Sequence, residues 1–194
     1  MINKKLYKYY VFLEEINELI KKNLTKFNKI NIIIDTQKNN KESLNKHISI
    51  IKFAKKNKIP FLFKNNFQNC IKYNSSGIFI DASYKKITRP ILLKKNFHII
   101  GSVHNQLEYA QKLKQKCNLL MLSPIFFNEK YSYNKILNVS KFNNKTLNWN
   151  INICALGGVN YKTIKKIKLT KCVAVGFKKF IFSDQIKKPA YKLM

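Results

Sequence analysis

The stretch NICALGGVNYKTIKKIKLTKCVAVGF (152–177) decides the fold. It opens with a β-rich apolar run, NICALG (152–157), which breaks at a Gly-Gly pair. YKTIKKIKL follows with Ile164 and Ile167 on one helical face, and a second apolar run, CVAVGF (172–177), closes the stretch. Both runs are apolar throughout rather than alternating. That is the pattern of strands covered on both faces, as in parallel sheets flanked by helices.

Outward from this unit, the same alternation fills the chain. Apolar runs recur at YYVFL (9–13), INIIID (30–35), IPFLF (59–63), GIFID (77–81), FHIIGS (97–102) and NLLMLS (118–123), making eight with the two above. Lys-rich segments of helical spacing lie between them. EEINELIKKNLTKF stripes Ile16, Leu19, Ile20 and Leu24, and ESLNKHISIIKFAKKN stripes Leu44, Ile48, Ile51 and Ala54. NQLEYAQKLKQK stripes Leu107, Ala110 and Leu113. Eight strand–helix units predict an α/β fold of a definite kind, a closed (β/α)8 TIM barrel forming one domain over residues 1–194. A doubly wound sheet gives no reason for eight units, and no GxGxxG follows the first strand to support dinucleotide binding. Two connections are irregular. ASYKKITRPILLKKN (82–96) carries Pro90 and has room for a short helix only, and FFNEKYSYNKILN (126–138) is long enough to expect a function of it.

Charge and cysteine usage narrow the classes. The formal charge is +29, but of 38 basic residues only Arg89 is arginine, and Lys, Asn and Ile are abundant throughout. Phosphate-gripping proteins favour the bidentate arginine fork, so the charge reads as compositional drift. No specific nucleic-acid partner is expected, only weak, salt-sensitive polyanion binding. No run of about 18 apolar residues predicts a membrane span, and the start of the chain lacks a signal-peptide pattern; a cytoplasmic location is the expectation. Cys70, Cys117, Cys154 and Cys172 form no CxxC pair and read as buried free thiols rather than a zinc site.

In such barrels the active site sits at the C-terminal strand ends. The exits carry Asp35 and Gln37; Lys64, Asn65 and Asn66; Asp81; Ser102 and His104; Ser123, Asn128 and Lys130; Gly157 and Gly158; and Gly176 with Phe177. Lysine, amides, hydroxyls and glycines outnumber carboxylates, a lining suited to an anionic, phosphorylated ligand. Glycines after strands seven and eight occupy the usual barrel phosphate site, where bare backbone N–H groups can approach an oxyanion. Each feature also has a plain structural reading. The Gly-Gly pair is a tight turn with positive φ, Ser102 a helix cap, Asp35 and Asp81 caps or turn residues, and His47 and His98 structural.

Several ordered pieces resemble the thiamine-phosphate synthase and TenI thiazole-tautomerase family over nearly the whole chain. They are YY near the start, IPFLFKNN followed by NSSGIFID, GSVHNQLEYAQ with its Ser-x-His before a helix, LLMLSPIFF, and ICALGGVNYKTIKKI followed by KCVAVGFKKFIF. The resemblance implies a TIM barrel in thiamine biosynthesis that joins a pyrimidine pyrophosphate to a thiazole phosphate, with Mg2+ as cofactor and pyrophosphate as leaving group. It assigns Ser102 to the pyrophosphate, and Gly157, Gly158 and the Gly176–Phe177 turn to the thiazole phosphate. Lys130 stands beside the family's basic residue of the strand-six loop, and Asn65, Ser123 and Asn128 complete the expected binding set. The departures are specific. Where the family carries Asn-Asp after strand three, this chain has Lys64-Asn65, and ASY replaces the second magnesium aspartate. Asp81 is thereby the single candidate metal ligand, and Lys64 a fixed cation in place of the metal. GSVH is closer to the TenI version of this stretch, in which His104 would move a proton at carbon. A non-catalytic barrel that binds a thiamine-related phosphate is the third reading. Oligomeric state is not legible.

Overall fold

In a computed structural model of the chain, the described residues are 8–35, 41–86, 96–129, 131–182 and 186, with 41–44 described by backbone alone. Gln37, Arg89, Pro90 and Lys130 lie outside them, as does the side chain of Leu44. The strands are β1 (Lys8–Leu13), β2 (Ile30–Ile34), β3 (Phe61–Lys64), β4 (Gly77–Ile80), β5 (His98–Val103), β6 (Leu119–Leu122), β7 (Asn152–Leu156) and β8 (Ala174–Phe177). They pair in parallel and in sequence order, and β8 closes on β1 through Lys8↔Ala174 and Tyr10↔Gly176. The helices are α1 (Glu18–Leu24), α2 (Lys41–Lys56), α3 (Phe67–Lys72), α4 (Gln106–Lys114) and α5 (Asn138–Lys145), with 3-10 turns at Tyr133–Lys135, Ile164–Leu169 and Phe180–Phe182. All eight expected strands are present. No helix among the described residues is long and apolar enough to cross a membrane.

The two-residue period of a strand divides the core in two. One set of alternate residues, including Tyr10, Phe12, Ile33, Leu62, Phe79, Ile100, Met121 and Cys154, fills the barrel. Phe12 and Phe79 meet edge to face there, 5.0 Å between centroids. The other set, including Val11, Ile32, Ile34, Phe63, Ile78 and Val103, faces the helices and packs on Ile20, Leu24, Ile50, Ile51 and Ala54. This is why the strand runs carry no polar alternation. All four cysteines are free thiols buried in these layers, and burial pushes the Cys117 thiol up to about 12.

Two helical expectations are corrected. Ile164–Leu169 is a 3-10 helix, in which residues three apart eclipse, so Ile164 and Ile167 are both fully buried on one side. The apolar stripe of α4 faces the wrong way: Leu107 is 85% exposed, Leu113 40% exposed and Ala110 exposed, while Lys112 and Gln115 are fully buried. The cause is Gly101 in β5. A Cβ there would lie 2.9 Å from the Cδ of Lys112 and from the Sγ of Cys117, so the lysine stem uses the bare strand surface. The ammonium donates to the Tyr84 carbonyl and to Gln115 Oε1, both at 3.0 Å. The Gln115 amide donates to the carbonyls of Tyr84 and Lys86, both at 2.8 Å. Helix α4 thus presents its polar face to the segment after β4, whose carbonyls have no strand partner.

Candidate functional site

At the C-terminal end of the barrel, β2 and β3 deliver a buried ion pair. Lys64 Nζ lies 3.2 Å from each carboxylate oxygen of Asp35, with its hydrogen bond directed to Oδ2. Alternation along the strands puts both residues on the inward face, in line with Ile33 and Leu62. Behind Asp35, His47 of α2 is buried, and burial holds the imidazole below its ordinary range, against the opposing pull of the Asp35 backbone and charge.

Next to this pair, Asn65 takes a left-handed conformation (φ 53°), one of the few non-glycine types that does so readily. Its Nδ2 donates to Asp81 Oδ2 at 2.7 Å, and its Oδ1 accepts the Asp81 N–H at 3.0 Å. The other Asp81 oxygen accepts from Ser83 Oγ at 2.9 Å and from the Tyr84 N–H at 3.0 Å. Asp81 is therefore a turn residue whose carboxylate is engaged on both oxygens. Asn66 caps α3 by accepting the Asn69 N–H.

Strand β5 supplies Ser102 and leads to His104. Ser102 is 6% exposed, and it lies within the strand rather than at a helix cap, a role taken by Asn105. Glu108, in the first turn of α4, bends back on His104: its Oε2 accepts the His104 backbone N–H and lies 3.1 Å from ring Nδ1. Asn105 Oδ1 accepts the Glu108 N–H at 2.9 Å, so the helix start forms a variant capping box that also fixes the imidazole. Lys145 Nζ donates to the His104 carbonyl at 2.6 Å. Glu108 was no site candidate in the sequence, although the Asn-x-x-Glu spacing (105–108) is a readable capping signal.

Strand β6 ends at Ser123, 7% exposed and joined to Pro124 by a cis peptide. Asn128 is half-buried and accepts the Tyr131 N–H through its carbonyl. Gly157 (φ 91°) and Gly158 (φ 68°) adopt the left-handed region, and a Cβ on Gly158 would sit 2.4 Å from the carbonyl oxygens of Phe126 and Phe127. The glycine pair thus lets the turn after β7 lie against the strand-six loop, which also bonds to it through Phe126 N–H to Gly157 O at 3.1 Å. Among the described residues, no acceptor takes the N–H of Gly158 or Val159, and neither the Ser102 nor the Ser123 hydroxyl has a partner.

The remaining two expected phosphate residues are placed differently from a turn. Gly176 lies inside β8 facing the barrel, where a Cβ would meet Leu156 Cδ1 at 2.9 Å. Phe177 is 2% exposed in the outer layer against Phe27 and Phe180. Their side-chain positions serve packing; only backbone groups at this strand end are available to a ligand.

The donor set of the described residues does not fit a Mg2+ site. Asp81 is engaged by protein donors on both oxygens, Asp35 faces an ammonium, and among the described residues no three His, Cys, Asp or Glu side chains converge. Oxygen-rich coordination is what this ion requires.

Fold and mouth together define a parallel (β/α)8 barrel with a lysine-, amide- and hydroxyl-lined strand end. Within that fold class, the family model for thiamine monophosphate synthase (TMP-TENI) matches residues 8–177, and the chain belongs to this family, one of transferases. Among solved structures, a thiamine phosphate pyrophosphorylase from Pyrococcus furiosus is 13% identical with a TM-score of 0.75, covering 100% of this chain and 96% of that one. A thiamine phosphate pyrophosphorylase from Bacteroides thetaiotaomicron is 14% identical (TM-score 0.54, coverage 96% and 91%), and KGPDC from Streptococcus mutans 10% identical (0.60, 97% and 94%). At such identities these likenesses speak for the fold. No curated protein matches the chain in sequence at a significant level.

Proposed function

We propose that the barrel mouth binds a pyrimidine pyrophosphate and a thiazole phosphate and joins them, releasing pyrophosphate. The C–O bond between the pyrimidine methylene and pyrophosphate breaks, with the electron pair leaving on pyrophosphate. The thiazole nitrogen lone pair then forms the new C–N bond, giving a thiazolium, and no proton is transferred. Such a step needs charge stabilisation at the leaving group and exclusion of water. The observation that carries the reading is a set of donors that find no acceptor among the described residues at one strand end: the Ser102 and Ser123 hydroxyls and the N–H groups of Gly158 and Val159. Ser102 would hold the pyrophosphate, with the Lys64 ammonium and the Asn65 amide beside it. The turn at Gly157 and Gly158 would hold the thiazole phosphate, with Ser123, Asn128 and Lys130 nearby. Gly176 and Phe177 would contribute backbone only. Mixing both substrates with the protein and assaying for thiamine phosphate tests this; Ser102→Ala should lower the rate about 10- to 100-fold if this donor acts on the departing charge.

A second reading is favoured by one observation, the Glu108–His104 contact. A carboxylate on Nδ1 fixes the imidazole so that Nε2 is presented as the exchanging nitrogen. That arrangement suits proton transfer at carbon in a TenI-like thiazole tautomerisation, with His104 taking the proton and returning it elsewhere on the ring. Incubating a carboxythiazole phosphate with the protein in deuterated water tests it, since isomerisation would be accompanied by deuterium incorporation. The engaged state of Asp81 and Asp35 keeps a third reading open to the same assays, a binding protein for a thiamine-related phosphate.

A further inference from the structure

We propose that the opposite, N-terminal end of the barrel carries a second ligand site, an axial pocket for a small polyphosphate-bearing anion. A cavity of about 580 Å3 opens there, lined by Lys8, Tyr10, Asn31 and His98, by Lys29 and Lys58, and by an apolar wall that includes Phe27 and Ile59. The first four belong to the barrel's own inward register. Lys8 and Tyr10 precede Phe12 on β1, Asn31 precedes Ile33 on β2, and His98 precedes Ile100 on β5, each in steps of two residues. At this end the inward positions of β1, β2 and β5 are therefore polar or cationic. The cavity's size falls within the range of small-molecule sites.

Charge distribution supplies the independent argument. The chain has nine carboxylates. Eight fall in described elements, and every one lies in a strand-to-helix connection or in the first turn of the helix that follows. Glu14, Glu15 and Glu18 follow β1, Asp35 and Glu42 follow β2, Asp81 follows β4, Glu108 follows β5 and Glu129 follows β6. All eight thus sit at the end of the barrel opposite the cavity. Among the described residues no carboxylate lines the cavity, and none pairs with Lys8, Lys29 or Lys58. Residues 1–7 and 87–95, which lead into Lys8 and Asn96, contain no Asp or Glu either. Cations converging on a cavity without a counter-charge repel one another, and an anion bound among them removes that repulsion. Burial first, and the Lys8 charge second, hold the His98 imidazole below its ordinary range. Lysines and amides without a carboxylate select phosphate oxygens over cations, and a segregated field draws such ligands to this end.

The test is calorimetric titration of the full chain with inorganic tripolyphosphate at 150 mM salt, on wild type, Lys8→Ala/His98→Ala, the rim variant Lys58→Glu, and Ser102→Ala. The expected result is binding that weakens at least tenfold in the first two variants and is unchanged in Ser102→Ala for this site. Tripolyphosphate should also shift the His98 imidazole resonances of the wild-type protein, a readout that needs no variant to fold. Equal affinity in wild type and both N-terminal-end variants overturns the proposal, as does binding that only Ser102→Ala removes or that disappears at 150 mM salt. Duplex DNA binding without tripolyphosphate binding overturns it in favour of a macromolecular anion. The outcome does not depend on the reaction at the other end, which the Ser102 variant reports separately.

Discussion

The Lys64 ammonium sits 3.2 Å from both carboxylate oxygens of Asp35 across adjoining strand ends, and the two side chains are only 14% and 8% exposed. A pair this enclosed behaves differently from a surface ion pair. Its desolvation is offset only while both partners are present, so removing one leaves an uncompensated charge.

Lys64→Met should therefore destabilise the barrel by about 2–4 kcal/mol, and a Lys64→Met/Asp35→Leu double variant should recover most of that loss. Urea denaturation of the four proteins gives the cycle. Additive losses would mean that the pair is not coupled. On the proposed condensation the double variant should remain inactive, because it lacks the cation assigned to the leaving group.

On the tautomerase reading, His104→Ala should lower the rate about 100-fold or more, with an unchanged far-ultraviolet circular dichroism spectrum, since a half-exposed ring carries little packing. Glu108→Gln keeps the helix start and removes the carboxylate from Nδ1. It should lower kcat about tenfold with KM little altered, the pattern of lost orientation rather than lost binding. A Glu108→Gln enzyme with wild-type kcat would show that the contact is only a cap.

Gly158→Ala meets two obstacles at once: φ of 68°, and backbone carbonyl oxygens 2.4 Å from the new Cβ. Left-handed strain alone costs about 1 kcal/mol, and the clash must displace the Phe126–Phe127 backbone. A loss of more than about 2 kcal/mol in chemical denaturation is expected, with loss of thiazole phosphate binding. Gly176→Ala, by contrast, meets the flexible tip of Leu156 and should be tolerated better.

His47 gives a pH dependence of definite sign. Burial lowers its folded pKa below the ordinary value of 6.5, outweighing the Asp35 backbone and charge. Between the folded pKa and about 6.5 the unfolded chain then binds more protons, so stability present above pH 6.5 is lost as pH falls through that window. Urea midpoints at pH 7.5 and 5.5 should fall by less in His47→Gln than in wild type, with His98, also lowered, accounting for part of the remainder.

The eight strands were legible because burial on both faces removes polar alternation, a property each run carries in its own residues. The strand exits followed from that, so Ser102, Ser123, Lys64 and Asp81 could be placed at the mouth from sequence. The partner of each could not. Asn65 clasps Asp81 sixteen residues away, and Lys64 meets Asp35 across strands, contacts set by barrel register rather than by local pattern. The face of α4 was misjudged for the same reason. Whether Leu107 or Lys112 turns inward depends on Gly101 in β5 and on the carbonyls of Tyr84 and Lys86, none of which lies in the helix.

The most direct measurement is the condensation assay itself. The folded protein is incubated with pyrimidine pyrophosphate and thiazole phosphate, with and without Mg2+, and the products are separated chromatographically. Thiamine phosphate and pyrophosphate should form in equal amounts, falling about 10- to 100-fold in Ser102→Ala. No thiamine phosphate under either condition, from protein shown to be folded, would contradict the proposed condensation.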